Sequence, residues 1–212
     1  MQTLLNPFDW YAGDTLHWPM DDIKLQQVND WIVDVDQAMS HVEHFGLAIQ
    51  AGGACGIWPA RLAGFFDEVI TFEPVLDNYE CLLANCERFD NIEANFGALG
   101  RKTSAVDMRR DDFEKGNAGA WYTVPGTDIL QVAIDDMNLS RCDLIMLDVE
   151  GSELEALAGA VGTISKFKPV VVIENKQLPH MKELAKKAEE FVVSLGYHQV
   201  AKYHNDLVLV RN

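Results

Sequence analysis

Gly52, Gly53 and Gly56 follow directly on the apolar run FGLAIQ, and Glu73 closes the next such run, EVITFE. A strand that turns sharply into a helix while a ligand approaches its backbone needs residues without a Cβ. The start of the helix adds N–H groups that have no partner inside it. An acid ending the following strand can accept both hydroxyls of a ribose. Together these residue types suit a nucleotide-type cofactor. Further on, Asp148, Glu150 and Glu174 stand at or just past the ends of two more apolar runs, DLIMLD and PVVVIE. Carboxylates gathered at neighbouring strand ends could serve as a base toward an acceptor, or anchor it.

The elements that must hold these groups can be read from the hydrophobic pattern. From Phe45 onward, short apolar runs alternate with amphipathic segments. FGLAIQ, EVITFE, IEANFGA, VAI (132–134), DLIMLD and PVVVIE read as strands. A helix is expected from about Gly56 to Phe65. A second starts at Pro74, with an apolar stripe of Leu76, Tyr79, Leu83 and Cys86. A third is opened by a capping box of Ser152 and Glu155, with Leu154, Leu157, Ala158 and Val161 on its inner face. A long one runs from about Pro179 to Leu195. YHQVAKY and DLVLVRN, joined by His204-Asn205, read as a β-hairpin. Gly100 to Gly126 is polar and irregular, with one short hairpin. Alternating strands and helices imply an α/β fold with a parallel sheet and helices on both faces. In such sheets ligands bind beyond the carboxyl ends of the strands, where the strand order reverses.

Residues 1–44 read as a cap or flank on a main domain of residues 45–212. They carry the aromatics Phe8, Trp10, Tyr11 and Trp18, and turn signals at Asn6-Pro7 and Gly13-Asp14. One amphipathic helix falls between Ile23 and Val42, with Val28, Trp31, Ile32, Val35 and Met39 on one side.

At 212 residues and 48% hydrophobic content, the chain can bury a full core without staples. Its net charge of −16, from 33 acids against 17 Lys and Arg, would repel duplex nucleic acid and anionic membranes. Lys182, Lys186 and Lys187 read as a solvated helix face. The four cysteines show no metal-type or C-x-x-C spacing, so thiols in a reducing cytoplasm are expected. The N-terminus has no basic start followed by an apolar stretch, and no run approaches the roughly 20 residues of a membrane span. A cytoplasmic protein with no nucleic-acid partner and no membrane follows from this reading. A homo-oligomer is compatible with it.

The stretches LAIQAGGACGIW, VITFEPVLDNYECLLAN, VAIDDM, DLIMLDVEGSELEALAGA and VVIEN come in the order found in the FkbM family of class I S-adenosylmethionine-dependent methyltransferases. The chain resembles that family from about Phe45 to Asn212, most specifically in LDVEGSELEAL, then in FEP and the glycine loop. The resemblance implies a Rossmann-like, mostly parallel seven-stranded sheet with an antiparallel terminal hairpin. It implies S-adenosyl-L-methionine as cofactor and a hydroxyl on a small molecule or sugar as methyl acceptor. Gly52, Gly53 and Gly56 would line the methionine end. Glu73-Pro74 would hold the ribose, Ala98 and Leu99 would flank the adenine, and Asp148 would sit by the sulfonium and the acceptor. Asn78 and Asn85 match family positions expected to make structural hydrogen bonds.

One position departs from the family pattern. Gln50 stands where the family carries an acid facing the cofactor's amino end, and Ala54 replaces a polar side chain. Glutamine can still accept a hydrogen bond there, without the charge. Asp148, Glu150 and Glu174 converge by topology, and at least one is expected to act as base or acceptor anchor. The same three could hold a divalent ion. His180 near the long helix, Lys176 after PVVVIE and Trp58 at the first helix are further candidates to line the site. Two other readings stay open. Ala51-x-Gly53-x-x-Gly56 is a degenerate dinucleotide fingerprint, which would suit a nicotinamide-dependent oxidoreductase. The Gln50 and Ala54 changes would suit a binding module without turnover.

Overall fold

Strands that are apolar at every position must be covered on both faces, and this decides which runs lie at the centre of the sheet. The computed structural model of the protein describes residues 22–110, 121–175 and 181–211. Expectations for Asn6-Pro7, Phe8, Trp10, Tyr11, Gly13-Asp14, Trp18, Lys176, Pro179 and His180 lie outside the described residues.

Helix α1 (Asp22–Met39) leads into β1 (Leu47–Ala51), α2 (Ile57–Leu62), β2 (Glu68–Glu73), α3 (Leu76–Cys86) and β3 (Ile92–Phe96). A smaller group follows: β4 (Ala98–Leu99), β5 (Ser104–Arg110), β6 (Trp121–Pro125) and β7 (Ile129–Val132), then a 3-10 turn at Ile134–Met137. The chain continues with β8 (Leu144–Leu147), α4 (Glu153–Ala158), α5 (Val161–Phe167), β9 (Val170–Glu174) and α6 (Lys182–Ser194). It closes with β10 (His198–Tyr203) and β11 (Asp206–Val210).

Seven strands form the main sheet in the order β10-β11-β9-β8-β1-β2-β3. All pairs from β9 to β3 are parallel, and β11 runs antiparallel to β9 and to β10. This is the mostly parallel sheet with a terminal hairpin that the sequence pattern predicts. The order reverses between β1 and β8, so the crevice for a ligand lies at their carboxyl ends.

Period-two alternation sorts the core into two layers. Leu47, Ile49, Ile145, Leu147, Val171 and Ile173 face α4, α5 and α6, meeting Leu157, Ile164, Ala188 and Val192. Ala48, Leu144, Met146, Val170 and Val172 face the other way, toward Leu62 and Phe66 and toward Val35, Ala38 and Met39 of α1. Helix α1 therefore seals one face of the sheet, and Asp36 accepts a 2.6 Å hydrogen bond from Nε of Arg61 in α2. The four cysteines are buried thiols. Among the described residues, no helix is long and apolar enough to cross a membrane.

Several elements differ from the sequence expectation, each for a local reason. IEANFGA breaks at Gly97, where a Cβ would lie 2.7 Å from the Leu130 carbonyl oxygen. Ala98 and Leu99 leave the main sheet and pair with β7 in a second, four-stranded sheet ordered β4-β7-β5-β6. The strand expected at 132–134 is Ile129–Val132, and Ile134 begins the 3-10 turn.

The stripe on α3 is rotated from the one expected. Leu76 and Leu83 are exposed, and the buried face is Asn78, Cys81, Leu82, Asn85 and Cys86. Two asparagines on that face hid it from a hydrophobicity pattern. The Ser152–Glu155 capping box does not form. Ser152 makes no capping bond; its hydroxyl lies 3.1 Å from that of Thr123. Glu155 instead pairs with Arg101, 2.9 Å away, which holds its carboxyl below the ordinary range. The single helix expected after Ser152 stops at Gly159, where a Cβ would lie 2.0 Å from the Gly100 carbonyl oxygen. Helix α5 then starts afresh, with Asp135 accepting from the N–H groups of Gly162 (2.8 Å) and Thr163 (2.7 Å).

Candidate active site

The crevice at the β1–β8 switch is shaped first by the turn Gly52–Gly56. Gly52 has φ +83° and Gly56 φ +97°, a region that L side chains enter at a cost. At Gly52 a Cβ would also stand 1.8 Å from the Asp148 carbonyl oxygen, so the turn after β1 touches the end of β8. Gly53 and Gly56 also have a role within the protein. Their missing Cβ atoms make room for protein: Thr71 Oγ1 at 3.0 Å for Gly53, and Cys86 Sγ at 2.9 Å for Gly56. Of the three glycines, Gly52 alone lines the cleft.

Gln50 differs from expectation. It is fully buried, and its amide braces the turn from within. Nε2 donates to the carbonyls of Ala51 and Gly52, both at 3.0 Å, while Oε1 accepts from the Thr71 hydroxyl. The glutamine side chain is turned into the protein, so it does not present its carbonyl to a ligand's amino end. Asn85 supports the same turn from α3, donating to the Cys55 carbonyl at 2.8 Å.

Glu73 ends β2 at the wall of the cleft, 4% exposed. One carboxylate oxygen accepts from the Ala54 N–H at 2.8 Å, the other from the Val75 N–H at 2.9 Å. Asn78 donates to the same group from α3. Burial pushes the Glu73 carboxyl above the ordinary range, and these three donors pull it back down. Each oxygen of a carboxylate has a second acceptor direction, so the group can hold the protein turn and a ligand hydroxyl together.

The cleft opens to solvent, and the unfilled space in it, open solvent included, is about 440 Å³. Glu73, Asp148 and Glu150 make its polar walls. Phe72, Pro74 and Val75, with Ala98 and Leu99, make an apolar slot beside Glu73. Met108, Trp121 and Thr123 complete the wall from the β5–β6 hairpin. These last three were not singled out from the sequence. They lie in the irregular stretch around residues 100–126, and a tryptophan there carries no signal of whether it packs or binds. Arg110 stands over the Trp121 ring, 6.0 Å from its centroid.

Asp148, Glu150 and Glu174 come together as the topology predicts. One oxygen from each lies within 4.8 Å of the others, near enough to hold a water or a cation between them. Asp148 and Glu150 line the cleft; Glu174 reaches the group from β9. Glu150 has φ +52° and Gly151 φ +92°. This tight turn is held by Glu153, a residue the sequence reading passed over. It is 2% exposed, and its Oε1 accepts from the N–H groups of Val149 (3.3 Å) and Gly151 (3.2 Å). Trp58, offered as a wall of the site, instead packs against Trp31 of α1, with ring centroids 6.3 Å apart.

The arrangement is an acidic cleft with a carboxylate beside an apolar slot at one end and three carboxylates at the other. It suits a ligand with a ribose, a flat apolar base and a positive charge.

Comparison with known proteins identifies the family. The Methyltransferase FkbM domain family matches residues 60–198. No curated protein matches the sequence. Among solved structures, the chain is similar to a methyltransferase FkbM from Methylobacillus flagellatus KT, with TM-score 0.56 and 20% identity over 92% of this chain. It spans only 56% of that protein's length. It is also similar to a precorrin-6y C5,15-methyltransferase from Geobacter metallireducens, with TM-score 0.53 and 13% identity over 97% of this chain and 94% of the other. A precorrin 8w decarboxylase from Methanobacterium thermoautotrophicum gives TM-score 0.54 and 13% identity, covering 97% of each chain. At such identities the likeness establishes a shared fold.

Proposed function

Since the chain belongs to the FkbM methyltransferase domain family, we propose that it is an S-adenosyl-L-methionine-dependent methyltransferase acting on a hydroxyl of a small molecule or sugar. The observation that carries the cofactor assignment is Glu73. Its carboxylate is tied to the turn after β1 and faces the cleft beside the Pro74–Val75 and Ala98–Leu99 slot. A ribose on Glu73 directs an adenine into that slot. The other end of the ligand then points along Gly52 toward Asp148.

The bound cofactor supplies the methyl group and a sulfur leaving group, so the protein's task is placement and charge. Gly52 lets the turn after β1 pack against the Asp148 backbone at the edge of the cleft. The carboxylates of Asp148 and Glu150 favour a cation at their end of the cleft. A hydroxyl acceptor must lose a proton as it attacks. A carboxylate of the Asp148–Glu150–Glu174 group, within hydrogen-bond reach of that hydroxyl, is the base in this reading. The acceptor class rests on the family resemblance.

Titration calorimetry with S-adenosylhomocysteine and with NAD(H) tests the cofactor assignment. Saturable binding of the first and none of the second is expected. The reverse would make the protein a dinucleotide enzyme, and binding of neither would favour a module without turnover. Methyl transfer from labelled cofactor to a panel of hydroxylated small molecules and sugars tests the acceptor.

A further inference from the structure

Glu153 is the most deeply buried acid near the cleft, yet it does not line it. We propose that Glu153 is a positioning residue. Its carboxylate grips the backbone on both sides of Glu150, and so aims the Asp148 and Glu150 carboxylates at the cationic end of the bound cofactor. The inference rests on the cofactor reading given above.

The turn it holds needs an external brace. Glu150 and Gly151 are consecutive left-handed residues, at φ +52° and +92°. A left-handed conformation is unfavourable for a residue with a Cβ, such as Glu150. The space above Gly151 is closed by α6, since a Cβ there would lie 3.0 Å from Leu184 Cδ1 and 3.3 Å from Met181 Cε. Within that space the Val149 and Gly151 N–H groups both point at Glu153 Oε1. Val149 follows Asp148, and Gly151 follows Glu150, so one buried oxygen sets the direction of the chain at both cleft carboxylates. Burial pushes the Glu153 carboxyl above the ordinary range, and the grip needs only an acceptor oxygen at the right reach.

The test separates reach from charge. Glu153→Gln keeps the length and an acceptor oxygen but removes the charge; Glu153→Asp keeps the charge but is one methylene short. Calorimetry with S-adenosylmethionine and S-adenosylhomocysteine gives a ratio of affinities that reports charge stabilisation at the sulfur, because the two ligands differ there. Glu153→Gln should leave the ratio within about twofold of wild type. Glu153→Asp should lower the preference for the sulfonium by about fivefold or more, with S-adenosylhomocysteine affinity held within about threefold and circular dichroism unchanged. An unchanged ratio in Glu153→Asp overturns the proposal. So does equal weakening of both ligands, or a loss in Glu153→Gln as large as in Glu153→Asp. A wild-type protein that binds neither ligand removes the cofactor reading itself, and the proposal with it.

Discussion

Glu73 accepts a hydrogen bond from the backbone N–H of Ala54 at 2.8 Å, which joins the end of β2 to the turn after β1. One carboxylate thus fixes the shape of the glycine turn and offers its remaining acceptor capacity to the cleft. With Ala54, Val75 and Asn78 donating to its four acceptor directions, one remains for a ligand hydroxyl.

Replacing this group should cost affinity directly. Hydrogen bonds to a charged group contribute about 1.5–3 kcal/mol each. Glu73→Ala is therefore expected to weaken S-adenosylhomocysteine binding by roughly 10- to 100-fold, read by calorimetry. Glu73→Gln, which keeps one acceptor oxygen, should lose less. Equal affinity in wild type and Glu73→Ala would mean that the ribose is held elsewhere.

Gln50 predicts a loss of stability instead. Gln50→Leu would remove the amide's bonds to the Ala51 and Gly52 carbonyls and to the Thr71 hydroxyl; the Ala51 carbonyl keeps its bond from the Asp148 N–H, and the Gly52 carbonyl and Thr71 hydroxyl lose theirs. Each orphaned group costs about 1–3 kcal/mol, so a fall of about 3 kcal/mol in unfolding free energy is expected from urea titration. Gln50→Glu should also destabilise, because a carboxylate cannot donate to those two carbonyls. A gain in stability or in cofactor affinity on restoring the acid would show that Gln50 is a functional loss after all.

Trp121 is expected to matter for binding and little for folding. It lies on β6, the edge strand of the smaller sheet, and forms part of the cleft wall. Stacking of a base on an aromatic ring contributes about 1–3 kcal/mol. Trp121→Ala should weaken S-adenosylhomocysteine binding by about fivefold or more, with the melting temperature within about 3 °C of wild type. An unaffected affinity would place the indole outside the ligand's reach.

The turn between β10 and β11 gives a pH-dependent contact. His204 Nδ1 pairs with the Asp34 carboxylate of α1, and this hydrogen bond, then the carboxylate's charge, raises the imidazole above its ordinary value. A raised histidine stabilises the fold fully below its unfolded pKa of about 6.5, and that contribution fades as pH climbs through the raised folded value. His204→Asn suits the local φ of +42°. Its melting temperature should fall below that of wild type at pH 5.5, and the gap should close by pH 9. A gap that widens with pH would contradict the pairing.

What could be read without the fold follows a clear physical line. β8 and β9 are apolar at almost every position, and such runs have no stable home except between two helical layers. The sequence alone therefore determined the parallel sheet, the terminal hairpin, and the placing of Glu73, Asp148, Glu150 and Glu174 at or just past strand ends. The family resemblance was legible for the same reason, since its motifs sit at those ends.

Tertiary structure decided the direction in which side chains point. Gln50 lies one residue before the end of β1 and Glu73 ends β2, yet one is turned into the protein by Thr71 and the other toward the cleft. The choice depends on Thr71, Ala54 and Val75, which the fold brings together. Gly53 and Gly56 look like ligand contacts in a motif; the fold shows in addition that their missing Cβ atoms make room for Thr71 and Cys86. Ser152 and Glu155 match a capping box locally, but Thr123 and Arg101, distant in sequence, take them instead. Periodicity and spacing report what a residue can do; which partner engages it depends on contacts across the fold, and those exist only once the chain has packed.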